Sequence, residues 1–226
     1  MSAFRDRREA GRRLAAALAD LESARPVVLA LPRGGVAVAA EIATTLRAPL
    51  DLVFVRKLGV PRQPEYAMGA IAEDDPPVIV RNKRVIGALR LTGRAFDEVR
   101  SREQIELERR RQAYLGDRPR VDIAGRVVIL VDDGIATGMT MRAAALATAK
   151  RGAQRIVITT PVADLAVAAE LRREFGEVVC LEEPEALSSV GYYYADFSEV
   201  GDDEVREILR RDAGSGLTAR APLPGD

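Results

Sequence analysis

The residues best suited to chemistry fall in one run, Val127-Val128-Ile129-Leu130-Val131-Asp132-Asp133-Gly134-Ile135-Ala136-Thr137-Gly138-Met139-Thr140. A stretch of β-formers carries the chain to the C-terminal edge of a buried sheet, and two adjacent carboxylates appear where that strand ends. A short loop containing Gly134 and Gly138 then opens into a helix. Ligands of open α/β sheets sit beyond the carboxyl ends of the strands. Glycines let backbone N–H groups approach an anion, and a helix N-terminus adds unpaired donors and the positive end of a dipole. With the hydroxyls of Thr137 and Thr140, residues 135–140 read as a phosphate cradle. Asp132 and Asp133 would repel a phosphate at close range. They suit a sugar diol, each hydroxyl donating to a carboxylate, or the shell of a Mg²⁺ ion. One loop with a phosphate end and a diol end describes a ribose 5-phosphate site. A bare Asp-Asp-Gly is also how an ordinary strand-end turn reads, and Thr-Gly a helix cap. The functional reading rests on the whole pattern. The GxxxxGK[ST] order of a P-loop is missing.

Two further segments add cations. Leu31-Pro32-Arg33-Gly34-Gly35-Val36 is a second strand–turn–helix, in which two glycines expose amides and Arg33 offers a fork for phosphate oxygens. Arg56 and Lys57 follow a strand and lead into a segment rich in Gly and Pro, residues 59–64, with Glu65 and Tyr66 just beyond. Composition narrows what else is possible. The chain has 226 residues and no histidine, which removes Ser-His-Asp, Cys-His and His-zinc mechanisms together. Its one cysteine excludes an internal disulfide framework and fits a reducing cytoplasm. Its 34 basic and 34 acidic residues cancel, so no whole-chain field draws it to nucleic acid or an anionic membrane. The basic N-terminus lacks the apolar stretch of a signal peptide, and no apolar run approaches the length that spans a bilayer.

The elements that must position these residues follow from periodicity. Leu14, Leu18 and Leu21 recur at helical spacing and predict a helix over residues 4–21. Strands are expected at 27–31, 50–55, 67–72, 78–80, 126–131, 155–160 and 177–181. Helices are expected at 36–46, 96–115, 141–151, 164–175 and 202–211, with a turn at 74–77. The charged helix 96–115 carries few apolar residues, and its Arg109-Arg110-Arg111 run reads as a solvated face. Strands alternating with helices argue for a parallel sheet covered on both faces. One domain over residues 1–212 is expected, followed by a tail, 213–226, rich in Gly, Ala and Pro.

The run 127–140 resembles the phosphoribosyl-pyrophosphate signature of the type I phosphoribosyltransferases, and the resemblance extends over about residues 27–181. The pattern LPRGGV…VRKLGVPxxPEYAxGAI…DDGxATG looks most like a bacterial group of that family. The resemblance implies an α/β fold of the type I phosphoribosyltransferase (Rossmann-like) class, a parallel sheet flanked by helices with a small hood. It implies transfer of the phosphoribosyl group from 5-phosphoribosyl-1-pyrophosphate (PRPP) to a purine or pyrimidine base, with Mg²⁺ as cofactor and pyrophosphate released. Asp132 and Asp133 would contact the ribose hydroxyls, and would meet the metal mostly through PRPP and water. Gly134, Ile135, Ala136, Thr137, Gly138, Met139 and Thr140 would hold the rest of the donor, the Thr-Gly-x-Thr loop gripping its 5-phosphate. Arg33, Gly34 and Gly35 would form the pyrophosphate loop, with a non-proline cis peptide at Pro32-Arg33. Arg56 and Lys57 would assist there. Gly59, Glu65 and Tyr66 would belong to a flexible loop that excludes water. Arg33, Lys57, Asp132 and Asp133 are the catalytic candidates. Residues 182–200, with Tyr192-Tyr193-Tyr194, and the N-terminal helix would form the hood over a nitrogenous base. A homodimer in the cytoplasm is the family expectation. Ala136 stands where hypoxanthine-guanine enzymes carry an aspartate, which leaves the acceptor open. Two other readings remain at this point. One is a PRPP- or nucleotide-sensing regulator on the same fold, disfavoured by the neutral charge and the lack of a DNA-binding segment. The other is a transferase to a non-nucleobase acceptor.

Overall fold

The structure, a computed structural model, describes residues 2–214. Its elements in chain order are α1 (Arg7–Ala17), β1 (Val27–Ala30), α2 (Gly34–Leu46), β2 (Leu50–Leu52), β3 (Val55–Val60), β4 (Gln63–Ala72), β5 (Val78–Arg81), α3 (Lys83–Ala88), α4 (Gly93–Leu115), β6 (Val127–Val131), α5 (Met139–Lys150), β7 (Arg155–Val162), α6 (Leu165–Phe175), β8 (Glu177–Glu182) and α7 (Asp202–Gly214). Short 3₁₀ turns lie at Ala19–Ala24 and Val190–Tyr193.

Five strands form a parallel sheet in the order β2-β1-β6-β7-β8. Every residue of β1 and β6 is buried, as their unbroken apolar sequences require of strands covered on both faces. Strand alternation divides the core. Val28, Ala30, Ile129 and Val131 face a cluster with residues of α1, α2 and α7. Val27, Leu29, Val128 and Leu130 face one with α5 and α6. A second, antiparallel sheet of β3, β4 and β5 stands beside the first. Ala67, Ala70 and Ala72 of β4 pack on Met139, Ala143 and Ala147 of α5. The opposite face, with Leu58, Met68 and Ile71, shares a cluster with Phe96, Val99 and Leu107 of α4. The small residues let the β-hairpin lie close to the helix that begins at the Thr-Gly-x-Thr loop.

Several expectations are corrected. The helix over 4–21 is shorter, because Asp6 accepts a hydrogen bond from Glu9 N and caps α1, while Phe4 bridges to Tyr194. Residues 59–64 are not an open loop. They are the tip of the β3–β4 hairpin, turning at Pro61-Arg62 with register shifts beside Gly59. A Cβ on Gly59 would lie 2.8 Å from Pro64 O, so the glycine permits a close strand approach. α5 begins at Met139 rather than 141, α3 has no counterpart among the expected helices, and the chain through residue 214 continues α7. The rest of the expected tail lies outside the described residues. On α4, Ile105 is 70% exposed and Arg109 and Arg110 both pair with Glu106, as a solvated face requires. Among the described residues no helix is long and apolar enough to cross a membrane.

Candidate functional site

β1 and β6 are neighbours, so the two Gly-bearing turns that follow them emerge side by side. Leu31 N donates to Val131 O at 2.9 Å, which extends the pairing one step past the strands. Beyond it the backbones touch. A Cβ on Gly34 would fall 1.8 Å from Asp133 Oδ2, and one on Gly35 would fall 2.7 Å from Val131 O and 3.0 Å from Asp132 Cα. Only residues without a side chain let residues 32–35 nest against the acidic pair. The Pro32-Arg33 peptide is cis, as the resemblance implies.

Asp132 and Asp133 differ although adjacent. Asp132 Oδ1 accepts the N–H of Asp133 at 2.9 Å. Burial first, and then the neighbouring Asp133 carboxylate, push the Asp132 carboxyl well above the usual carboxylate range. Asp133 is gripped from two sides. Arg7 Nε donates to its Oδ2 at 2.7 Å, and the Tyr194 hydroxyl donates to its backbone oxygen at 2.6 Å. Gly134 packs against Val190, where a Cβ would come within 2.3 Å of a methyl group.

The turn then crosses to β7. Ile135 N donates to Val162 O at 2.9 Å and Asp164 N to Ile135 O at 3.1 Å. Ala136 and Thr137 are exposed. Gly138 adopts a left-handed φ of 69° and no side chain caps α5, so the first N–H groups of that helix stay available to an anion. Arg142, one turn in, braces the loop by donating to Thr137 O at 3.3 Å while Glu170 and Glu174 of α6 hold its charge.

The cations expected around the pyrophosphate are placed unequally. Arg33 leaves the nested turn and pairs with Glu199 and Asp202. Asp202 also accepts from the Tyr114 hydroxyl at 2.7 Å. Arg56 and Lys57, expected together, are split by strand alternation. Lys57 lies opposite Ala70 on the face turned to α5 and is exposed, its Nζ 3.4 Å from Glu65 O. Arg56 lies opposite Ile71 on the α4 face, with Nε and Nη2 both donating to Glu103 at 2.9 and 2.7 Å. In this structure Arg56 is thus paired with α4, on the opposite face of the strand from Lys57. Glu65 and Tyr66 are exposed at the start of β4, next to the tip of the hairpin.

Residues 182–200 and the N-terminal segment do meet. Phe4 N donates to Tyr193 O, and Ala195 N to Phe4 O, each at 2.8 Å. Of the three consecutive tyrosines, Tyr194 is buried between Phe4 and Phe197, whereas Tyr192 is 76% exposed. Sequence reasoning missed Arg7, which joins this layer to Asp133 across 126 positions. A lone arginine in a basic helix start carries no signal of such a contact. No group of three or more His, Cys, Asp or Glu that could hold a metal occurs among the described residues. The donor set of two carboxylates, one already paired with Arg7, fits a Mg²⁺ carried by a diphosphate better than an ion caged by protein.

Comparison with known proteins places this geometry. The sequence profile of the phosphoribosyl transferase domain matches residues 4–195. Relatives from two strains of Mycobacterium tuberculosis, each provisionally named a phosphoribosyl transferase, are 45% identical over 211 residues, covering 93% of this chain but 47% of their own length. The chain thus spans about half the length of these relatives. The crystal structure of TT1426 from Thermus thermophilus is 43% identical with a TM-score of 0.77, covering 92% of this chain and 98% of that one. The AQ2163 protein of Aquifex aeolicus, at 13% identity and a TM-score of 0.50 over 82% of each chain, shares the fold alone. With a match over residues 4–195 that includes both nested turns, this chain belongs to the phosphoribosyl transferase domain family.

Proposed function

We infer that the chain binds PRPP across the two nested turns and transfers its phosphoribosyl group to a ring nitrogen of a purine or pyrimidine base, releasing pyrophosphate. The observation that carries this reading is the contact of Gly34 and Gly35 with Asp133 and Asp132, which sets a diol-binding pair directly against a diphosphate-type turn. The 5-phosphate would take the free N–H groups at the start of α5 and the hydroxyls of Thr137 and Thr140. Asp132 and Asp133 would accept from the ribose hydroxyls and lie near the positive charge that develops at C1 as the diphosphate departs. The amides of Gly34 and Gly35 would stabilise that leaving group, with Arg33 once it exchanges Glu199 for phosphate oxygens. Mg²⁺, when bound with the donor, neutralises diphosphate charge, and Asp132 and Asp133 would reach it largely through PRPP and water. The β3–β4 hairpin would exclude water, with Lys57 on its site-facing side. Residues 1–212 would act as one domain, with 182–200 and the N-terminal helix covering the base.

Release of pyrophosphate from PRPP, measured with Mg²⁺ across a panel of purine and pyrimidine bases, tests the reading. Base-dependent release is expected. Tight PRPP binding with no release for any base would favour a sensor, and release only with other amines a different acceptor. The split of Arg56 and Lys57 gives a second expected outcome. Lys57→Met should lower kcat by roughly 100-fold, as for loss of one charge-stabilising group, with the melting temperature little changed. Arg56→Met should leave PRPP affinity alone and destabilise by about 1–3 kcal/mol, because Glu103 loses its closer partner and keeps the more distant Arg102. The reverse pattern in kinetics and thermal melts would assign the cations wrongly.

A further inference from the structure

Arg7 is the least expected residue in the site. It is the first residue of α1, and its side chain is only 11% exposed. Nε donates to Asp133 Oδ2 at 2.7 Å and Nη1 donates to Ser198 O at 2.8 Å. The guanidinium lies 3.8 Å from the centre of the Phe197 ring and 5.8 Å from that of Tyr194. The planar group is thus stacked and forked at once, a use that lysine cannot reproduce. Tyr194 meanwhile bonds the backbone oxygen of the same aspartate. Two side chains of the covering layer therefore converge on one residue of the donor site.

The contact has a geometric consequence. Asp133 Oδ2 is engaged by Arg7 on one side and faces Gly34 on the other. The neighbouring Asp132 carboxyl also lies within hydrogen-bonding reach of this carboxylate. Arg7 holds Oδ2, and the Asp133 side chain stays 17% exposed, open to a ligand hydroxyl. A carboxylate on a free strand end would rotate, and ordering it would cost rotamer entropy at the moment of binding.

We propose that Arg7 is a positioning residue for the donor: it fixes the Asp133 carboxylate to receive a ribose hydroxyl, and so makes donor affinity depend on the layer that covers the acceptor. The proposal rests on the reading of this site as a PRPP site. It concerns the sugar end alone, because the diphosphate end is built by Arg33, Gly34 and Gly35.

Calorimetric titration of the full chain with Mg-PRPP and, separately, with Mg-pyrophosphate tests it. Arg7→Met should weaken Mg-PRPP roughly 10- to 100-fold, as for other groups that orient a ligand-binding side chain, and leave Mg-pyrophosphate within about 2-fold. Arg13→Met is the control. Arg13 stacks on Phe4 at 4.8 Å and bonds Ala3 O, so its loss loosens the same layer without touching Asp133. It should leave both affinities within about 2-fold. If Arg7→Met does not melt cooperatively, Arg7→Lys carries the test, with Mg-PRPP expected to weaken at least about 3-fold. Unchanged Mg-PRPP affinity, or equal weakening of both ligands, overturns the role of Arg7. Wild-type protein that binds neither ligand overturns instead the reading of the site, so the two failures are told apart.

Discussion

Asp132→Asn and Asp133→Asn are expected to act alike on PRPP binding and oppositely on stability. Each removes a charge that would accept from a ribose hydroxyl. A hydrogen bond to a charged group contributes about 1.5–3 kcal/mol, so each variant should weaken Mg-PRPP roughly 10- to 100-fold and the pair roughly 100- to 10,000-fold. Stability separates them. Asp132 is pushed above the normal carboxylate range by burial and by Asp133, so its ionised form is disfavoured by folding. A raised carboxyl pKa adds stability at low pH that is lost as pH rises through the folded value. Asparagine removes that loss, and Asp132→Asn should stabilise the chain by about 0.5–2 kcal/mol at neutral pH, the range typical of relieving a strained functional site. The gain should fade on acidification, where the wild-type carboxyl is protonated. Asp133→Asn instead deprives the mostly buried Arg7 of its counter-charge and should destabilise by about 1–3 kcal/mol. Thermal melts across pH and PRPP titrations check both signs. Two neutral changes in PRPP affinity would remove the acidic pair from the donor site.

The contrast between these aspartates shows what a sequence can and cannot display. The strand, the paired acids and the Gly-bearing turns are local patterns, and each is where periodicity and glycine placement put it. Residues 27–30 and 127–131 are continuous apolar runs because both faces of β1 and β6 are covered. The neighbouring pairing of β1 and β6, which makes one site of two motifs, is tertiary, and only the resemblance implied it. Residues 59–64 depart from the expected loop because Gly and Pro mark a bulge and a hairpin tip as readily as an open loop. Ending the preceding strand at Val55 hides a further consequence. The expected strand 50–55 is two elements, β2 ending at Leu52 and β3 starting at Val55, and alternation along β3 puts Arg56 and Lys57 on opposite faces. Arg7 is beyond reach by any local rule. Its role depends on the N-terminal segment pairing with residues near Tyr194, and nothing in the spacing of a basic helix announces a partner 126 residues away.

The two nested glycines should separate function from stability when each is replaced by alanine. At Gly34 the new Cβ would sit 1.8 Å from Asp133 Oδ2, which is the end of a side chain and can swing aside. Swinging it breaks the Arg7 contact and removes the oriented carboxylate, while alanine in the first turn of α2 recovers up to about 1 kcal/mol of helix propensity. Gly34→Ala should therefore lose PRPP affinity roughly 100-fold, and the helix gain should offset part of the stability lost with the Arg7 contact, so that it melts above Asp133→Asn. At Gly35 the Cβ would meet Val131 O at 2.7 Å and Asp132 Cα at 3.0 Å, both backbone atoms at the end of the central strand. Neither can retreat without parting β1 from β6. Overpacking of this kind costs about 1–3 kcal/mol, which lowers the melting temperature of a chain this size by roughly 2–12 °C. A Gly34→Ala protein that still binds Mg-PRPP as wild type would show that the turn after β1 and the acidic pair do not share a ligand. A Gly35→Ala protein that melts normally would show that the contact between the two turns is looser than the geometry requires. The expected pair of results, one variant unable to hold the donor and the other destabilised at the strand junction, would tie the site to the close approach of two backbones, with the chemistry of either turn alone insufficient.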